Sequence, residues 1–190
     1  MNIGLFFGSF NPIHVGHLII AEYIWQDAGL DEVWLVVSPH NPHKRKDQLL
    51  NEHDRLHLCR LAVGETGPIR PVDLEFRLPQ PSYTVDTLGY LAAHKPEHTF
   101  HLLMGADNLA TLHRWKNYEA IVNHYPILVY PRHKAQRPEV EYPNVQLVKA
   151  PVIELASTDI RTRIREGKRV QHMLPPRVWG YIEEMNLYRR

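Results

Sequence analysis

The sequence predicts an α/β protein: a parallel sheet with helices on both faces. Two observations lead there. Short apolar runs, mostly rich in β-branched or aromatic residues, alternate with helical segments along the 190 residues, as in a sheet whose connections are helices. The first apolar run also ends in a Gly-containing turn that opens a helix, the position where such sheets bind ligands.

The elements follow in order. Ile3–Phe7 is the first strand, and Gly8-Ser9-Phe10-Asn11-Pro12 the turn after it. His14-Val15-Gly16-His17 starts a helix predicted over Gly16–Ala28, with Leu18, Ala21, Trp25 and Ala28 at helical spacing and Gly29 as the stop. Strand Val33–Val37 leads through an irregular stretch, Ser38–Asn51, to helix Glu52–Val63. Strand Ile69–Val72, an irregular Asp73–Thr84 and helix Val85–His94 come next. Strand Thr99–Met104 precedes helix Tyr118–Asn123, and strand Ile127–Tyr130 precedes a polar, irregular Pro131–Asn144. Strand Val145–Lys149 is followed by two C-terminal helices, Ser157–Glu166 and Pro176–Met185. The last opens with Pro175-Pro176 and carries Val178, Ile182 and Met185 on one face. No repeat, low-complexity tract or linker interrupts the pattern, so a single domain over residues 1–190 is expected.

Bulk properties narrow the function. A net charge of +1 gives no global field for nucleic acid or a membrane surface, and neither is expected as a partner. The single cysteine, Cys59, excludes an internal disulfide framework and suits a reducing cytoplasm. Residues 1–7 hold no basic n-region, and no apolar run approaches the roughly 20 residues of a membrane span. Homo-oligomerisation stays open.

The first turn suits a polyphosphate. Gly8 lets the backbone approach an anion closely, and a helix N-terminus offers N–H groups and positive dipole. Taken alone, His14 and His17 serve equally as caps or as partial metal ligands. A metal would need further ligands, and Ser9 and Asn11 are poor ones for zinc, so no side-chain metal site is expected. A phosphate beside the imidazoles would raise their pKa and favour cationic or strong-donor character. Near the other end, Leu155-Ala156-Ser157-Thr158-Asp159-Ile160-Arg161 reads as a capped amphipathic helix with Ile160 and Ile164 to the core. Its spacing also puts Thr158, Arg161 and Arg165 on one face.

Gly8 to His17 resembles the signature of the HxGH nucleotidyltransferase superfamily, and Ser157, Thr158 and Arg161 are similar to its Ser-Ser-Thr-x-x-Arg element, with Ala156 for the first Ser. The resemblance implies a Rossmann-like three-layer sandwich and transfer of a nucleoside monophosphate with release of pyrophosphate. Pro42-His43-Lys44, Pro81-Ser82-Tyr83-Thr84, Gly105-Ala106-Asp107-Asn108-Leu109 and Arg114-Trp115-Lys116, in this order, extend it to the nicotinate-nucleotide adenylyltransferase family, from about residue 3 to Tyr188. By themselves Thr84 reads as an N-cap, Trp115 first as a packing residue and Lys44 as a solvated charge.

The resemblance implies ATP and nicotinate mononucleotide as substrates, with Mg²⁺ bound with ATP. It assigns Gly8, Ser9, Phe10, His14, His17, Gly105, Asp107, Ser157, Thr158 and Arg161 to ATP, with His14, His17 and Arg161 catalytic. Lys44, Tyr83, Thr84 and Trp115 fall to the mononucleotide: Trp115 stacking on the pyridine ring, Tyr83 and Thr84 giving N–H groups to its carboxylate. Such donors favour nicotinate over nicotinamide, because hydrogen bonds to ionised groups are the stronger ones. Another phosphate acceptor, such as phosphopantetheine, and a non-catalytic nucleotide-binding module are the alternatives. Three departures stand out: Phe7 where the family usually has Gly, Asn11 where Asp is frequent, and Arg132-His133-Lys134 where Arg-Pro-Gly is common, leaving Arg132 as a phosphate contact.

Overall fold

The computed structural model describes residues 1–39, 49–132 and 142–189. Lys44, and with it Pro42-His43-Lys44, lies outside the described residues, as does most of Pro131–Asn144.

Six parallel strands form one sheet in the order β3-β2-β1-β4-β5-β6. They are β1 Asn2–Gly8, β2 Glu32–Val37, β3 Ile69–Val72, β4 Thr99–Gly105, β5 Ile127–Tyr130 and β6 Val145–Leu147. The chain runs outward from β1 through β2 to β3, then returns to place β4 on the other side of β1. The connections leaving β1 and β4 therefore diverge, and a crevice opens between their carboxyl ends.

Among the described residues seven α-helices cover the two faces: α1 Val15–Asp27, α2 Glu52–Val63, α3 Thr84–His94, α4 Ala106–Thr111, α5 Tyr118–His124, α6 Ser157–Arg165 and α7 Pro176–Glu184. Strand side chains alternate between faces, as the pleat requires. Phe6, Val33, Leu35 and Leu128 pack with α1, α2, α6 and α7. Ile3, Leu5, Val36 and Leu102 pack with α3, α4 and α5. This is the three-layer sandwich expected from sequence.

Several details differ from expectation. The buried stripe of α1 is Ile20, Ala21 and Ile24, with Leu18, Trp25 and Ala28 at its margin, because the sheet meets the helix slightly around its axis. On α7, Val178 and Ile182 are buried, but Met185 is the C-cap and half exposed. Strand β6 stops at Leu147, two residues early; it is an edge strand paired only with β5. Asp73–Thr84 contains a 3₁₀ turn at Leu74–Arg77, and a short helix, α4, follows β4 and runs into a second 3₁₀ turn at Leu112–Arg114. These pieces are too short to show a period; burial of Leu109 and Leu112 holds the second pair in place.

Candidate active site

The β1–α1 turn, the start of α4 and the start of α6 meet around a cleft of about 410 Å³ at the sheet's switch point. Gly8, Ser9, Phe10, His14, His17, Asp107, Ser157, Thr158 and Arg161 all line it. The two ends of the chain are joined here directly. Ser157 Oγ donates to the Pro12 carbonyl at 2.9 Å, and Arg161 Nη1 donates to the Asn11 carbonyl at 2.7 Å. Arg165 lies on the exposed side of α6 instead.

The histidines are held in fixed poses. His14 is the N-cap of α1 and His17 is its third residue. Their rings stack at 3.7 Å between centroids, and His17 Nδ1 accepts the His14 backbone N–H at 3.2 Å. Phe6 and Phe10 meet the His17 ring edge-on, at 6.1 and 5.1 Å. Since Nδ1 is an acceptor, neutral His17 carries its proton on Nε2. Gly16 is required between them: a Cβ there would stand 3.0 Å from both His14 Nδ1 and Ile153. At Gly8 a Cβ would meet the Phe10 ring at 2.7 Å, and Phe10 itself adopts a positive φ of 45°.

The protein's own groups act on His14 in the direction opposite to a phosphate. Burial, then the positive field of Arg132, pushes its imidazole down to about 4. It is therefore neutral at pH 7, a donor or acceptor rather than a cation. Among the described residues the cleft's positive charge comes from Arg132 and Arg161. Arg161 is buried, and among the described residues its Nε has no hydrogen-bond partner; its Nη2 reaches Thr158 Oγ1 only at 3.5 Å. Arg132 Nε stands 3.6 Å from Asp107. The α1 N-terminus has less to offer than expected, since Val15 N–H is taken by Met173 O and His17 N–H by His14 O.

A second cleft, of about 350 Å³, adjoins the first through Phe7, Gly8 and Asn108, which line both. Thr84 and Trp115 line it, along with Ser38, Glu75, Ser82, Thr111 and Arg114. Trp115 also packs on the core of its face, so the packing and cleft readings hold together. Tyr83, the N-cap of α3, does not line it; its ring faces Lys116 Nζ at 4.6 Å. Gly105 lines neither cleft: a Cβ there would collide with Asp107 Oδ1 and stand 2.8 Å from Arg132 Cγ.

Residues 5–163 match the family described as cytidylyltransferase-like. Over 193 residues, covering 100% of both chains, the sequence is 50% identical to a Flavobacterium johnsoniae protein named "Probable nicotinate-nucleotide adenylyltransferase". The Bacteroides fragilis protein of that name is 44% identical, covering 94% of this chain and 90% of its own. The chain belongs to the nicotinate-nucleotide adenylyltransferase family. Among solved structures, Plasmodium falciparum nicotinic acid mononucleotide adenylyltransferase complexed with NaAD has the same fold, with a TM-score of 0.79 at 20% identity over 98% of this chain and 97% of that one. Its complex with APC gives 0.81 at 20% identity, over 98% and 96%.

Two residues of this family member escaped sequence reasoning. Arg55 of α2 is fully buried. Its guanidinium donates to four carbonyls: Ser9 at 2.6 Å, Ser38 at 2.8 Å, Pro39 at 3.1 Å and Leu50 at 2.8 Å. Asn11, in the place of the frequent Asp, accepts at Oδ1 from Leu50 N–H at 3.2 Å and Tyr188 Oη at 3.0 Å. It shapes the turn with a neutral amide. Glu75 is the other: it is 1% exposed, and burial pushes its carboxyl upward. A buried arginine and a buried glutamate in otherwise polar segments give no signal in one sequence.

Proposed function

We infer that the chain transfers the adenylyl group of ATP to nicotinate mononucleotide, giving nicotinate adenine dinucleotide and pyrophosphate in NAD biosynthesis. The observation that carries this is the pair of adjoining clefts with Phe7, Gly8 and Asn108 as a common wall. One is lined by imidazole and guanidinium, the other by an aromatic ring and a helix start.

An oxygen of the acceptor's 5′-phosphate attacks the α-phosphorus of ATP in line. The bond from that phosphorus to the bridging oxygen breaks, and pyrophosphate leaves. The attacking oxygen is already anionic, so the protein supplies position and charge stabilisation rather than a nucleophile. His17 contacts the α-phosphate through Nε2–H. His14 lies beside it on the phosphate chain, and Arg161 takes the β- and γ-phosphates, giving its unpartnered Nε a use. Gly8, Ser9, Phe10, Ser157 and Thr158 line the ATP side; Asp107, an acceptor-only group, suits ribose hydroxyls, and Gly105 keeps its place clear. Trp115 stacks on the pyridine ring, while Thr84 and the backbone of Tyr83 address its carboxylate.

Mg²⁺ belongs with ATP in this reading. Among the described residues no three His, Cys, Asp or Glu side chains gather as a cation site, and Asp107 is the only carboxylate lining the first cleft. That donor set suits a hard ion held mostly by phosphate oxygens and water, with Asp107 able to assist. The ion would neutralise charge on those oxygens. A cytoplasmic location goes with the reading, supported by the free, buried thiol of Cys59.

A pyrophosphate-release assay with ATP and a panel of nicotinate mononucleotide, nicotinamide mononucleotide and phosphopantetheine tests it. Release is expected fastest with the nicotinate compound. Preference for phosphopantetheine, or no release with any acceptor, would overturn the assignment.

A further inference from the structure

Among the described residues lining the second cleft, Glu75 carries the one carboxylate. It sits on the 3₁₀ turn Leu74–Arg77 and is 1% exposed. Thr87 Oγ1 donates to its Oε1 at 2.8 Å, the Ser38 and Ser82 hydroxyls lie within its reach, and Oε2 makes no bond of good geometry among the described residues. Thr87 lies one turn past Thr84 on α3, so the carboxylate is tied in directly beneath the helix start that addresses the acceptor. A buried carboxylate held only by neutral hydroxyls is still unfavourable unless positive charge compensates it. Among the described residues the cleft's own cation, Arg114, is exposed, and the nearby Lys116 is paired with Asp86 at 2.9 Å.

The acceptor itself carries the missing charge. A pyridine joined to ribose through its nitrogen is a pyridinium, a cation spread over a flat ring. Trp115, in the same cleft, offers the π face that attracts such cations. We propose that Glu75 is a specificity-determining residue that reads the positive charge of the acceptor's ring. The ligand class is an N-glycosylated pyridinium nucleotide, and its neutral dihydropyridine counterpart is the compound rejected. The inference rests on the second cleft being the acceptor site, and adds ring charge to the carboxylate as a recognised feature. Burial and ring charge act on Glu75 in opposite directions, so binding and ionisation reinforce each other.

Steady-state kinetics of the full chain with ATP test this, using nicotinate mononucleotide and its chemically reduced dihydropyridine form. The wild type favours the pyridinium. Glu75→Gln keeps the side-chain volume and an oxygen for Thr87. It lowers kcat/KM for the pyridinium about tenfold, through KM, and leaves the reduced form unchanged, so the ratio contracts equally. If that variant fails to fold, Glu75→Asp withdraws the carboxylate by one methylene and contracts the ratio by a smaller factor. A ratio unchanged in the variant that folds, whether both acceptors fall together or neither falls, overturns the proposal. Trp115→Ala, run in parallel, separates the two readings. If it raises the acceptor KM while the Glu75 variant leaves the ratio alone, only the ring-charge inference fails. If neither variant moves the acceptor KM, the cleft is not the acceptor site and both readings fall.

Discussion

The two clefts share a wall, yet they are built by opposite strategies. The first is braced from distant parts of the chain: Arg55 grips its turn from α2, Ser157 and Arg161 from α6, and Tyr188 from the C-terminal tail. Its imidazoles are stacked on each other and edge-packed by Phe10, and burial keeps His14 neutral. The second is made mainly of local pieces, a 3₁₀ turn, a helix start and a tryptophan at the end of another 3₁₀ turn. On the proposed assignment, rigid geometry is concentrated where bonds change at phosphorus, and recognition is left to a thinner shell. Catalysis by positioning asks for that division, because small displacements at the reacting centre have large rate effects.

The sharpest way to break the comparison is His17→Ala. Loss of one preoriented donor should lower kcat by about 10²–10³-fold with the acceptor KM little changed. A rise in acceptor KM at constant kcat would erase the distinction between the clefts.

Next comes acid stability. His14 has a folded value of about 4 against an ordinary 6.5. Between those limits the unfolded chain binds a proton that the folded chain refuses. Stability is therefore fully present above pH 6.5 and declines as pH falls towards 4, by about 3 kcal/mol from this residue alone. Urea midpoints of wild type and His14→Asn, compared from pH 7 to 4.5, should diverge by that trend; parallel curves would show that the imidazole is not tightly enclosed.

Trp115→Ala addresses the second cleft. Loss of stacking is worth about 1–3 kcal/mol, so the acceptor KM should rise roughly tenfold with kcat and the ATP KM largely kept. A collapse of the thermal transition without a KM effect would make Trp115 a packing residue only.

The smallest effect is expected at Lys116→Ala. Its pair with Asp86 is exposed on both sides, and such pairs contribute about 0–1 kcal/mol. Turnover and KM should change by less than about threefold; a larger change would move the acceptor cleft's edge out to Tyr83.

Much of this was legible in the sequence because it is local. Strands β1 to β5 follow apolar runs, the Gly8–His17 turn lies within ten residues, and the Ser157–Arg161 element within five. What stayed hidden depends on partners far along the chain. Arg55 reaches carbonyls 46, 17, 16 and 5 residues away, and nothing in Asp54-Arg55-Leu56 distinguishes it from a solvated helical arginine. Glu75 meets Thr87 across twelve residues. The neutrality of His14 is likewise tertiary, since it comes from burial and from Arg132 on the connection after β5.

Among the described residues, the Arg55 guanidinium's hydrogen bonds all go to main-chain oxygens. The contour at Ser9, Ser38, Pro39 and Leu50 is thereby uncoupled from their lettering. Exchanges at Ser38 or Leu50 leave the guanidinium's targets in place, so the enzyme's mouth can be re-tailored to new acceptors without dismantling the frame that aims its histidines.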